Sequence, residues 1–145
     1  MSNDFKEINV CVTGIQHQVG SAFPDPPVIT KTKGTFREKD GVSYIKYSET
    51  YDDEGNSSDC LLKVYDNKLE LAKKGVVKTK MSFVPGENAS ASYELPFGTV
   101  DLSVKTHKFC VSREKTRLTV HASYELFMEG NKTSDCTITI EADGM

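Results

Sequence analysis

The stretch from Met81 to Gly98, MSFVPGENASASYELPFG, decides how this chain folds. Two segments that alternate apolar and polar residues flank a Pro85-Gly86 turn, and the second ends at a Pro96-Phe97-Gly98 corner. Alternation with a period of two is typical of a strand with one buried face, and Pro-Gly is a turn dipeptide. The stretch predicts a β-hairpin followed by a second tight corner. Four of its side chains are expected to face a core: Met81, Phe83, Tyr93 and Phe97.

The same period of two recurs along the rest of the chain. It is clearest from Thr116 to Met128, where every second residue from Leu118 onward is apolar. Gly, Asn and Asp turn residues separate the alternating segments, and no segment of useful length has the 3.6-residue apolar period of a helix. The pattern predicts ten strands, near 4–17, 27–38, 42–52, 58–66, 68–74, 76–84, 90–97, 99–111, 116–128 and 133–141.

Short strands joined by tight turns indicate an antiparallel meander. A meander avoids unpaired edges by closing on itself, which favours a barrel. We therefore expect an all-β chain that forms a single antiparallel up-and-down β-barrel, with residues 1–145 as one domain. The proline-rich segment 21–27 is the one irregular connection in this scheme.

Composition limits the partners that the chain is expected to have. Its 145 residues are 37% hydrophobic and 27% charged, which is typical of a globular protein. The net charge of −3 argues against nucleic acid and against an anionic membrane as partners. The N-terminal segment MSNDFKEINV lacks the features of a signal peptide, and we expect a cytoplasmic protein. Its four cysteines lie far apart in strand patterns and are expected to be free thiols: Cys11, Cys60, Cys110 and Cys136.

Motifs spread over nearly the whole chain resemble those of a known family. They include Gly34-x-Phe36, Tyr44-Ile45-x-Tyr47-x-Glu49, Lys78-x-Lys80-Met81-x-Phe83 and Tyr93-x-x-Pro96-Phe97-Gly98. The chain resembles the YwiB-like family of uncharacterised bacterial calycin-type β-barrel proteins. The resemblance implies a calycin-like, lipocalin-like barrel of about eight to ten strands, and it implies no activity. Leu95, where the family often has Thr, departs from its pattern, as does the glycine that follows Lys73-Lys74.

A polar cluster inside the barrel is the main candidate site. If the third and fourth strands pair through the turn at 53–57, Glu49 and Lys63 come close together. An ion pair kept inside a barrel needs partners and is a candidate ligand anchor, whereas the same pair on the outer face is an ordinary surface contact. The candidate ligand-binding residues are Tyr47, Glu49, Lys63, Tyr65 and Lys78.

Other site chemistry has less support in the sequence. His107 and His121 would form half of a zinc site if they lay opposite one another, with Asp101 or Glu125 as a third ligand. Both histidines fall on polar strand faces, so we expect no metal and no cofactor. Neither a Gly-x-Ser-x-Gly elbow nor a phosphate loop occurs, and we assign no catalytic residue.

The leading functional hypothesis is a non-enzymatic barrel that binds an apolar or amphipathic small molecule. A protein-interaction module or homodimer that uses its outer surface is the alternative, favoured by Phe127, which lies off the apolar face of its strand. An acid–base enzyme built on Glu49 ranks lower. A nucleic-acid binder also ranks lower; its aromatic and cationic residues would be Tyr44, Tyr47, Tyr51, Tyr65, Tyr93, Lys46, Lys63, Lys78 and Lys80. Enzymatic activity stays open at this level.

Overall fold

The computed structural model describes residues 5–50, 54–76 and 78–144, and these residues form ten strands. The strands are β1 (Lys6–Gln18), β2 (Val28–Lys39), β3 (Val42–Thr50), β4 (Ser57–Val64), β5 (Leu69–Gly75), β6 (Lys78–Phe83), β7 (Asn88–Leu95), β8 (Gly98–Arg113), β9 (Arg117–Met128) and β10 (Asn131–Asp143).

Closure of the sheet is the main feature of the topology. Each strand pairs antiparallel with its neighbours in sequence, and β10 pairs with β1. This closing pair is long, running from Asn9 opposite Asp143 to Gln18 opposite Ser134. The predicted all-β, up-and-down antiparallel barrel is therefore confirmed. In the part of the chain that the structure describes, no helix is long and apolar enough to cross a membrane.

Side chains from one face of every strand fill much of the barrel interior. Alternate residues are buried, as with Ile8 and Val10 in β1. The rings of Phe83 in β6 and Tyr124 in β9 meet edge to face with centroids 4.9 Å apart, although these strands are not neighbours in the sheet. The contact therefore crosses the barrel. Each large apolar side chain buried in this way contributes about 1.5–3 kcal/mol.

The hairpin predicted from the opening stretch is present. Strands β6 and β7 are joined through a turn at 84–87, in which Gly86 takes a φ of 80°. Phe83 is buried, and Met81 and Tyr93 are half-buried. The expectation for Phe97 is wrong, because its side chain is 85% exposed. Leu95 pairs with Gly98, so Phe97 lies in a two-residue loop beyond the end of the sheet.

A bulge in β8 changes which of its side chains face the interior. The pairing with β9 shifts between Thr106 and Lys108. The shift turns Phe109 toward the core, where it packs against the buried cluster. The register of β8 with β9 puts Cys110, and not His107, opposite His121.

Strands β1, β2 and β3 approach one another closely at Gly34. A Cβ built there would lie 2.5 Å from the Lys46 carbonyl oxygen and 2.8 Å from Cγ2 of Val10. Both distances are too short for real contacts, and one of the two neighbours is backbone that cannot easily yield. Gly14 differs, because a Cβ built there meets nothing within 4 Å.

We predict that Gly34→Ala destabilises the barrel by about 1–3 kcal/mol through overpacking. Gly14→Ala is the matched control and is expected to change stability by about 1 kcal/mol or less, in the stabilising direction. Urea unfolding followed by circular dichroism measures both. Equal unfolding midpoints for the two variants would show that the strands do not approach as closely at Gly34 as described.

Candidate functional site

The barrel has two chemically different ends. Antiparallel order brings the ends of β1, β3, β5, β7 and β9 together with the starts of the even-numbered strands. We call this end the first rim and the opposite end the second rim. The segment 19–27, which joins β1 to β2, lies at the first rim.

The second rim is closed by a side chain that reaches across it. Arg113, at the end of β8, donates a hydrogen bond of 2.7 Å from Nη1 to Oγ of Ser43, at the start of β3. Its Nη2 lies 3.5 Å from a carboxylate oxygen of Asp66. Because β8 and β3 are not neighbours in the sheet, the bond spans the barrel end. Ser43 is fully buried beneath it, so Arg113 covers this part of the second rim.

An ion pair that faces the interior lies near the first rim. Lys73 Nζ in β5 is 2.9 Å from Oε2 and 3.2 Å from Oε1 of Glu49 in β3. The side chains are 20% and 15% exposed. The two strands are separated by β4, where Ser58 lies opposite Glu49 and Cys60 lies opposite Lys73. The pair thus bridges β4 on the inner surface of the barrel.

Cys60 lies beside this ion pair, and its thiol is not activated. Burial, together with the negative charge of Glu49, raises the pKa of its thiol to about 11. The thiolate is the reactive form of cysteine, so a thiol with so high a pKa is a poor nucleophile at neutral pH. Cys60 is therefore not a candidate nucleophile beside Glu49 and Lys73.

A second polar strip lines the inner surface on the other side of the barrel. Gln16 Nε2 in β1 donates a hydrogen bond of 2.9 Å to Ser134 Oγ in β10, and Ser134 Oγ is 3.4 Å from the Cys136 sulfur. Burial raises the pKa of Tyr124, which keeps its phenol protonated. The Thr106 hydroxyl, opposite Tyr124 in the register, is buried and has no hydrogen-bond partner among the described residues.

Several inward-facing apolar residues near the first rim stay partly accessible. Ile45, Leu62 and Val120 are fully buried at the centre of the core. By contrast, Gly14 faces inward near the rim with open space beyond it. Half-buried or exposed side chains on the inner face of β6–β9 include Met81, Tyr93, Leu95, Val100, Leu126 and Met128. These residues and the ion pair together form what we call the mouth of the barrel.

The structure divides the five residues proposed from the sequence. Tyr47 and Glu49 face the interior, and Tyr47 is buried. Lys63 faces outward, because its neighbours Leu62 and Val64 are fully buried and successive strand residues point to opposite faces. Tyr65 and Lys78 face outward by the same alternation.

The partner predicted for Glu49 is wrong. The register puts Lys63 opposite Tyr44, five residues from Glu49 along β3, so the two side chains do not meet. The partner is Lys73, which sequence reasoning missed. The sequence contained the signal, because Leu69, Leu71 and Lys73 are every second residue of β5. Lys73 therefore lies on the same face of that strand as the two buried leucines.

The two histidines do not lie opposite one another, and each has a different hydrogen-bond partner. His107 Nε2 is 2.7 Å from Oε2 of Glu125, and His121 Nδ1 is 3.0 Å from Oγ1 of Thr139. Hydrogen bonds from Lys132 and His107 hold the pKa of Glu125 below its ordinary range. No group of three potential metal ligands occurs among the described residues.

Comparison with known proteins identifies similar chains. A family model described as "Domain of unknown function (DUF1934)" matches residues 12–140. The "Uncharacterized beta-barrel protein YwiB" of Bacillus subtilis (strain 168) is 26% identical over 113 residues, covering 77% of this chain and 78% of that protein. The "Crystal structure of ywiB protein from Bacillus subtilis" superposes with a TM-score of 0.79 at 22% identity, covering 99% of this chain and 96% of the other. At this identity, the likeness to the solved structure concerns the fold.

We predict that Lys73→Met destabilises the protein by about 2 kcal/mol, between the values for exposed and for fully buried pairs. The loss arises because the variant removes a counter-ion from the largely enclosed Glu49 carboxylate. The double variant Glu49→Gln/Lys73→Met should regain about half of that loss or more, since it removes both charges. Urea unfolding measures the three stabilities.

Lys63→Met is the matched control, with the same substitution on the outer face of β4, and it should change stability by about 0.5 kcal/mol or less. A Lys73→Met variant as stable as this control would contradict the inward placement of the pair.

Proposed function

This chain belongs to the DUF1934 family, the YwiB-like β-barrel proteins, and from that premise we propose that it is a receptor for an amphipathic small molecule, which it holds in the mouth of the barrel. The family description assigns no activity, so the proposal depends on the chemistry of the mouth. The observation that carries it is the inward-facing Glu49–Lys73 ion pair.

The energetics of that pair favour a binding role. Moving two charges out of water costs several kcal/mol per ion, and well-packed apolar residues of similar size are often equally stable. Much of the interior is instead filled by apolar residues such as Leu62 and Val120. An ion pair kept near an accessible rim is better explained as an anchor for a polar group than as a contribution to stability.

The charges of the pair indicate the kind of polar group. Glu49 and Lys73 are neutral together, so a ligand with a single net charge would leave one of the two ions uncompensated. A zwitterionic head group can exchange partners with both ions, its ammonium approaching Glu49 and its carboxylate approaching Lys73. The bound head group then keeps the mouth neutral, and we propose a ligand of this class.

Apolar side chains in the mouth suit the remainder of such a molecule. Met81, Tyr93 and Leu95 face inward and are only half-buried in the free protein. Deeper in the barrel, the contact between Phe83 and Tyr124 occupies the interior. The ligand is therefore a compact one that stays in the mouth. We further propose a cytoplasmic location, which suits four free cysteines in a reducing environment.

Nε-Dansyl-lysine is a direct probe of this proposal, because it joins a zwitterionic head to an apolar fluorophore. We predict saturable binding with increased dansyl emission, weakened by about tenfold or more in Lys73→Met. Lys63→Met should bind within about twofold of the wild type. Dansyl-cadaverine, which lacks the carboxylate, should bind as weakly to the wild type as dansyl-lysine binds to Lys73→Met.

Equal affinity of Lys73→Met and Lys63→Met would contradict the proposal, as would the absence of saturable binding. Native mass spectrometry of the same samples tests the alternative of an interaction module. That alternative is supported by the large apolar side chains exposed near the first rim, among them Phe23 and Val28, which are 79% and 71% exposed. A dimer without bound probe would favour the alternative.

A further inference from the structure

The outer surface of β2–β6 carries a concentration of positive charge that the net charge of the chain conceals. Nine of the 18 Lys and Arg residues lie on it, while the carboxylates on the same face of these five strands are Asp59 and Glu70. We call it the basic face. Its cations are Lys31, Lys33, Arg37, Lys39, Lys46, Lys63, Lys74, Lys78 and Lys80.

Strand alternation fixes the outward direction of these cations. In β2, Lys33 directly precedes Gly34, which is buried. In β3, Lys46 lies between the buried residues Ile45 and Tyr47. The same phase places Lys74 outside while Lys73 points inside. The barrel thus presents adjacent rows of ammonium groups on strands about 4.8 Å apart.

Most cations of the basic face have no carboxylate beside them in the described part of the chain; among the exceptions are Lys63 and Lys74, which lie opposite Glu70 and Asp59 in the register. Within the described residues, none of the nine lies in a salt bridge of 4 Å or less. The opposite side of the barrel differs, because there Lys132 Nζ lies 2.9 Å from Glu125 and 3.0 Å from Asp135. The positive potential of the basic face is therefore available to an anionic partner.

Apolar floors lie between the lysines. Leu61 and Ala72 are opposite one another, and the same cross-strand row continues to Lys46 on one side and Lys80 on the other. Lys63 and Lys74 frame the pair along the strands. Two adjoining surface grooves, of about 600 and 490 Å³, share Leu61 and Ala72 in their lining.

An aromatic platform adjoins these grooves. A further groove is lined by Phe5, Tyr44 and Leu61 together with Arg37, Lys39 and Lys46. Lys46 Nζ lies 4.6 Å from the centroid of the Phe5 ring, and the Arg37 guanidinium carbon lies 5.6 Å from it. Cations and rings are thus interleaved at one end of the basic face.

We propose that the basic face binds single-stranded RNA, with phosphates on the lysine rows and bases on the apolar floors and the aromatic platform. This inference is independent of the ligand proposed for the mouth. Single-strand binders combine a cationic groove with aromatic or apolar surfaces on which bases stack, and both are present. Lysines act as point charges toward phosphates, which are the same in every sequence, so little sequence preference is expected.

Other anionic partners fit the basic face less well. A duplex is a stiff rod, whereas a flexible strand can follow the curved wall of a barrel. A membrane would call for exposed apolar side chains to insert among the lipids, but the most exposed of these, Phe97 and Phe23, lie in connections at the first rim. An acidic peptide would satisfy the lysines and leave the grooves at Leu61 and Ala72 without the planar groups that suit them.

Fluorescence anisotropy with a labelled oligouridylate of about 15 nucleotides tests the proposal. We expect binding that weakens with salt, because counterions are released from each neutralised phosphate. Lys63→Glu/Lys80→Glu should weaken it by about tenfold or more. The matched control is Lys105→Glu/Lys108→Glu, the same change of charge at exposed positions of β8, which should stay within about twofold of the wild type. Thermal unfolding of both variants checks that they fold.

Competition experiments separate RNA from other polyanions. Inorganic polyphosphate, polyglutamate and phosphatidylglycerol vesicles, each matched in total charge, should compete at least about tenfold more weakly than unlabelled oligouridylate. Equal competition by any of them would overturn the assignment to RNA, as would equal weakening by the two double variants. Lack of binding at low salt would overturn the proposal as a whole.

Discussion

Pairing between β1 and β10 is the constraint on which the rest of the structure depends. It runs over most of both strands, from Asn9 opposite Asp143 to Gln18 opposite Ser134, and it closes the sheet. Once the sheet is closed, each strand has an inner and an outer face, and a shift of one residue would exchange them. Closure therefore decides which polar residues enter the barrel and which stay in contact with solvent.

The adjacent residues Lys73 and Lys74 show the effect of this constraint most clearly. Lys73 points inside and forms the ion pair with Glu49, whereas Lys74 belongs to the basic face. Two residues of the same type thus serve two separate surfaces because of strand phase alone. The two rims differ as well, since Arg113 reaches across one to Ser43 while the other has half-buried apolar side chains and an ion pair. One barrel therefore has two chemically distinct surfaces, the mouth and the basic face.

Local patterns predicted the strands and the barrel well, because alternation and turn residues act over a few neighbours. The candidate site was harder to predict, because it depends on register across a connection. Glu49 was identified, but its assigned partner Lys63 lies on the other face, and Phe97 lies beyond the sheet. The direction of Phe109 depends on a bulge in β8, which strand alternation alone does not predict. The basic face could not be found from net charge, which averages over all faces of the barrel.

The rates at which Lys73 and Lys74 are acylated test the account most directly. Brief treatment of the folded protein with an amine-reactive acetylating reagent, followed by digestion and tandem mass spectrometry, resolves the two adjacent sites. Because Lys73 is enclosed and paired with Glu49, it should react about tenfold or more slowly than Lys74. In urea the two rates should become equal. Equal rates in the folded protein, or faster modification of Lys73, would contradict the strand phase that both proposed surfaces require.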